Sequence, residues 1–153
     1  MNLQDAKNQV ITLVRNVAPF GGTGAKKPYS DTALRNAYPR ANSEPPTVAL
    51  SESGGPVPPA VGMGTSRRRH HPSLQMDVLA RDPVEAARIW QLVAEAIRED
   101  FDYYEADGSY GKGYLREKGL RAVIVGEPAE RTWDDDKPIA RLSGEMLLEF
   151  DDD

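Results

Sequence analysis

The clearest hydrophobic patterning falls in three stretches. Leu3, Ala6, Val10, Leu13, Val14 and Val17 recur at helical spacing, with Gln4, Lys7, Asn8 and Arg15 on the opposite side. This predicts an amphipathic helix over 3–17, ended by Pro19 and Gly21-Gly22. From Ser73 to Ala80 the pattern changes to alternation. Leu74, Met76, Val78 and Ala80 point one way, and Ser73, Gln75 and Asp77 the other, as in a strand with one buried face. The chain then runs through Asp82-Pro83-Val84-Glu85. An aspartate cap, a proline at the first helical position and a glutamate three residues after the cap mark a helix start. The helix that follows carries an apolar face of Ala86, Ile89, Trp90, Val93, Ala96 and Ile97. Burying its four large side chains is worth about 6–12 kcal/mol gross.

Shorter signals complete the order of elements. Pro45-Pro46 delivers an extended chain into a strand at 47–51, with Val48 and Leu50 facing a core. Asp31 to Ala37 has the composition of a short helical turn capped by Ser30 or Asp31. A strand is expected over 120–125, an acidic turn over 127–137, and a last strand over 139–150. In that last strand Ala140, Leu142, Met146, Leu148 and Phe150 face inward, and Arg141, Glu145 and Glu149 outward. The last two strands can pair antiparallel through the acidic turn. The sum is a single α+β domain over 1–153, with about four mostly antiparallel strands and two helices packed on one face.

Glycine and proline, 13 and 12 in number, gather in a few stretches, so the core-forming part is shorter than the chain. One such stretch is a long irregular loop over 19–46. The other, over 52–71, reads as a Gly/Pro-rich hairpin arm with a basic end. Glu52 to Ser66 cannot be regular structure. The arm is expected to become ordered only in an assembly. There is no cysteine, which removes disulfides and thiolate metal sites. No apolar run approaches the roughly 20 residues that span a bilayer. The N-terminus lacks a signal-peptide pattern, so a soluble protein made inside the cell is expected. Net charge is −5, which argues against a general nucleic-acid binder.

Candidate chemistry is thin. Gly21 to Lys27 has the composition of a phosphate loop but not the GxxxxGK[ST] spacing, and it follows a helix rather than a strand. Asp102 to Tyr114 fails as a calcium loop. With Gly108 in the sixth position, the first and twelfth ligands are Tyr103 and Tyr114, neither a carboxylate. Asp134, Asp135 and Asp136 are hard-cation ligands by type, but neighbours in one short turn rarely converge on one ion, so a solubilising turn is expected. His70 and His71 point apart in an extended segment, and no serine sits in a GxSxG setting. No catalytic, metal or cofactor site is expected. Two readings stand for Arg67, Arg68 and Arg69. They are either a solvated strand entrance or an electrostatic patch for an acidic partner or for passing DNA. Tyr103, Tyr104, Tyr110 and Tyr114 are either interface side chains or packing over a helix end.

The order of elements and three strings resemble the tail terminator (tail-completion) proteins of long-tailed phages and related tailed viruses. The strings are PPTVAL, HHPSLQMDVLARDPVEAARIWQLVAEAI, and GLRAVIVGEP followed by WDDDKPIARLSGEMLLEF. The resemblance covers about two-thirds of the chain and excludes the Gly/Pro-rich segments, whose length departs from the commoner pattern. It implies a homohexameric ring at the head-proximal end of the virion tail. Such a ring ends polymerisation of the major tail-tube protein and joins the tail to the neck or head-completion protein. Genomic DNA passes through it without sequence-specific binding. No enzymatic activity, cofactor or membrane is implied. In a ring, Arg67–Arg69 and Asp134–Asp136 are candidates to meet across heterologous contacts, and Tyr103 and Tyr104 are candidate interface residues. A head-completion or neck adaptor protein of the same kind of virus is the alternative, and a small enzyme a more distant one.

Overall fold

The structure, a computed structural model, describes residues 2–17, 32–37, 39, 45–54, 69–100, 103–104, 106–108, 110–111, 113–131 and 139–151. Helix α1 spans Leu3–Val17, the predicted range. Its buried side chains include Ala6, Val10, Ile11, Leu13 and Val14. Lys7, expected on the polar side, is only 3% exposed, and its ammonium lies 3.5 Å from Glu52. The aliphatic stem lets a lysine cover apolar surface while its head reaches a carboxylate.

The sheet has more strands than the sequence predicts. Strand β1 (Ala33–Arg35) replaces the expected helical turn and runs parallel to β2 (Thr47–Gly54). Strand β2 extends through Glu52–Gly54, which the sequence reading placed in the irregular arm. It pairs antiparallel with β4 (Ser73–Ala80), as expected of strands flanking a hairpin arm. The short β3 (Arg69–His70) and β4 meet β8 (Ala140–Asp151) in one register. Arg69 stands opposite Asp151, Ser73 opposite Leu147, and Ala80 opposite Ala140. They form one line interrupted at Pro72, which has no N–H to give. Its carbonyl still accepts from the Leu148 N–H at 3.0 Å.

Strand β7 (Leu120–Arg131) lies on the other side of β8. It absorbs the first five residues of the expected acidic turn. A register shift between Val125 and Ala129 allows this, with Gly126 at φ 69°, a bulge that re-aims the strand past Pro128. The class is α+β, with a mixed sheet ordered β1-β2-β4-β8-β7 and one parallel pair.

Helix α2 spans Pro83–Arg98 and buries every apolar residue assigned to its face, with Ala94 in addition. Asp82 caps it by accepting the Glu85 N–H at 2.8 Å, while Glu85 accepts the Arg81 N–H at 3.0 Å. Replacing Asp82 with alanine is expected to cost about 1 kcal/mol in a urea titration. An unchanged midpoint would remove the cap from the account.

The segment over 101–118 is not a plain connection. It holds a small hairpin of β5 (Tyr103–Tyr104) and β6 (Tyr110–Gly111), then a third helix, α3 (Tyr114–Glu117). Asp100 anchors α3, accepting the N–H groups of Tyr114 at 2.6 Å and Leu115 at 3.0 Å. Tyr114 donates to Gln9 Oε1 of α1 at 2.8 Å. The core lies between the sheet and α1 and α2, where Val48, Leu50, Leu74, Met76, Val78, Met146, Leu148 and Phe150 meet Val10, Val14, Ile89, Trp90, Val93 and Ile97.

The sheet is not buried on one face only. On the side away from the helices, Thr47, Ala49, Ser51, Asp77, Leu79 and Ser143 are also buried. Alternation predicted polar, solvated positions there. The structure keeps the alternation but covers that part of the second face.

Candidate functional site: an assembly surface

Of the basic cluster, the structure places Arg69, at the start of β3; Arg67 and Arg68 lie outside the described residues. The Arg69 Nε donates to Asp151 Oδ1 at 3.0 Å. This hydrogen bond, more than the accompanying charge attraction, raises the guanidinium pKa above its ordinary value. The pair stays at the surface, so it serves register more than stability. Beside it the two histidines diverge as expected. The His70 ring stacks on Phe150 at 4.9 Å between centroids, whereas His71 Nδ1 lies 3.7 Å from Glu149. Thus the basic end of the arm is tied to the last residues of β8.

Asp134, Asp135 and Asp136 lie outside the described residues, as do the Gly21–Lys27 stretch and the arm over 55–68. The expected meeting of the aspartates with the arginine cluster thus falls outside the described residues. Tyr103 and Tyr104 are placed as backbone in the β5–β6 hairpin, and their side chains lie outside what is described.

The sequence reading missed a buried polar cluster on the second face of the sheet. Asp77 is fully buried. Its Oδ1 accepts from Arg141 Nε at 2.8 Å and from the Ser143 hydroxyl, and its Oδ2 accepts from Gln75 Nε2 at 2.8 Å. Register explains the meeting, because Asp77 stands directly opposite Ser143, one step from Arg141. All three partners donate to one carboxylate, which holds the β4–β8 pairing in place. Its lone pairs are engaged by fixed donors, an arrangement suited to holding register rather than moving protons.

An open cleft of about 880 Å³ runs along the far end of the sheet, where α2, α3, β7 and β8 converge. Arg98, Arg116 and Arg121 stand on its walls, with Ile97, Leu115 and Phe150 below. Two of its carboxylates are already engaged, Asp100 by the N-terminus of α3 and Asp151 by Arg69. Among the described residues, no group of three or more His, Asp or Glu side chains is placed to hold a metal ion. Beside the cleft, the outer faces of β7 and β8 present Val123, Val125 and Leu147 to solvent. Their clustering follows from β7–β8 register.

No protein-family model matches the chain, and no curated protein matches it. Among solved structures it is similar to a chain of the "Virion of native gene transfer agent (GTA) particle". That match has a TM-score of 0.48 at 16% sequence identity, covering 98% of this chain and 95% of that chain. A likeness of that size assigns neither family nor function.

Proposed function

We propose that this chain is a structural virion protein, the subunit of a tail terminator ring that ends tail-tube polymerisation and joins the tail to the neck. One observation carries the reading. An N-terminal helix, an extended strand, a strand entering a capped helix and a closing antiparallel pair follow one another in the order of the resembled family. The polar side chains so far placed fit a scaffold, since Asp77, Asp82 and Asp100 each hold backbone or strand partners together. The charged and apolar surfaces at the β7–β8 end and the basic root of the arm are then the working parts. Rings are built from heterologous contacts, one surface on a different surface.

The test is assembly. Native mass spectrometry of the protein mixed with the tail-tube protein from the same genome is expected to show a hexamer. Added to polymerising tube protein, the chain is expected to stop growth at one end, visible as capped tubes by electron microscopy. A protein that stays monomeric with tube protein, leaves tube length unchanged and is absent from particles would sink the reading. Gold labelling at the neck, away from the tube end, would favour an adaptor instead.

A further inference from the structure

Three of the four large apolar side chains most exposed among the described residues sit together on one sheet face. Val123 is 42% exposed, Val125 41% and Leu147 41%. The β7–β8 register makes this face three outward rungs, Arg121 opposite Glu149, Val123 opposite Leu147, and Val125 opposite Glu145. Glu145 leans toward β4, accepting the Ser73 hydroxyl at 2.5 Å, which leaves the apolar centre uncovered.

We propose that this face docks a second copy of the same chain, through a two-fold axis parallel to the strands. The charge pattern selects that axis. Stacked sheets lie about 10 Å apart with strands nearly aligned. A two-fold along the strands sets β7 of one copy over β8 of the other at the same level. Arg121 then faces Glu149 and Val123 faces Leu147, each pairing occurring twice. A two-fold across the strands instead sets Glu149 over Glu145, like charge on like, and leaves Arg121 over Val125. Opposite charges flanking an apolar centre favour the first arrangement, and like-charge contact penalises the second.

The contact is isologous and closes at two copies. It goes beyond the ring reading and does not depend on it. The apolar centre is small against the roughly 800 Å² per partner of a standard interface. The pair is therefore weak and concentration-dependent, with a micromolar to submillimolar dissociation constant.

Sedimentation velocity of the full chain over a concentration series tests this. Wild type is expected to show a monomer–dimer equilibrium. Arg121→Glu alone and Glu149→Arg alone each turn two attractions per dimer into repulsions and should weaken pairing about tenfold or more. The double variant Arg121→Glu/Glu149→Arg restores both contacts and should return pairing to near the wild-type constant. Leu147→Gln removes apolar area without changing charge and should weaken pairing as well. Thermal melts at dilution confirm that each variant folds, since all three positions are at the surface. A wild type that stays monomeric at every concentration overturns the proposal. So does a dimer indifferent to the single swaps, or a double variant that fails to recover. A hexamer with tube protein that persists through all of these variants leaves the ring reading standing.

Discussion

Asp77→Ala is expected to destabilise the protein by about 3–5 kcal/mol, a large part of the 5–15 kcal/mol that holds a domain of this size. The carboxylate is fully buried and takes hydrogen bonds from Arg141, Ser143 and Gln75. Removing it takes a fully buried carboxylate from the guanidinium of Arg141, whose side chain is only 12% exposed. The cost comes from three buried donors that lose their common acceptor, one of them charged. Asp77→Asn keeps the shape and one accepting oxygen and should cost less. The double variant Asp77→Leu/Arg141→Met removes both charges and should recover much of the loss. Urea titrations of the four proteins measure this. A loss under about 1 kcal/mol for Asp77→Ala would mean that this carboxylate is not what holds Arg141, Ser143 and Gln75.

The second large effect is at Gly144. This residue lies inside β8 with its missing side chain aimed at α2. A Cβ there would stand 2.1 Å from Cη2 and 2.7 Å from Cζ2 of Trp90. Those are carbons of a buried ring with little room to move. Gly144→Ala must push the indole or the strand aside, which costs about 1–3 kcal/mol, and Gly144→Val more. The chain has two tryptophans, so in a Trp133→Phe background Trp90 is the sole indole reporter. Its fluorescence should shift red as the ring is displaced, together with a lower melting temperature. Gly144→Ala combined with Trp90→Leu should cost less than the two single changes added. Gly108→Ala is the control. Its φ of 86° strains any side chain, but nothing lies within 4 Å, so it should lose only about 1–2 kcal/mol and leave the Trp90 signal unchanged. Equal stability of Gly144→Ala and wild type would mean that α2 does not seat its indole on the strand.

Pattern and packing met different limits along this chain. The two long helices were legible because 15 and 16 residues of steady period outweigh local noise, and Asp82-Pro83 announces the second one chemically. The alternation of β4 and β8 was legible for the same reason. The three residues of β1 were not, because nothing in Ala33–Arg35 favours a strand. It forms because the Ala33 N–H finds the Pro46 carbonyl at 3.0 Å and the segment lines up beside β2. The reach of β7 beyond Val125 was hidden by Gly126 and Pro128, which read as a turn locally but make a bulge once β8 is alongside.

The candidate surface divides in the same way. Arg69 stood out as part of a basic run, but its partner Asp151 lies 82 residues away and appears only through β3–β8 pairing. Asp77 was placed only by its face, and Val123 and Leu147 drew no notice, since an aspartate or a valine in an alternating strand has no local meaning beyond its face.

By itself, the sequence determined the helices, the alternating strands, the cap at Asp82 and the charge of the arm's root, because each is set by neighbours within one or two turns of chain. Only the tertiary structure decided what stands opposite what. Register put Asp77 among its three donors, placed Trp90 on Gly144, and gathered Val123, Val125 and Leu147 beside Arg121 and Glu149. Strand register depends on hydrogen bonds between segments far apart in the chain, and one residue of slip exchanges the two faces of the sheet. That information is carried by no single stretch, and it decides which side chains share a surface.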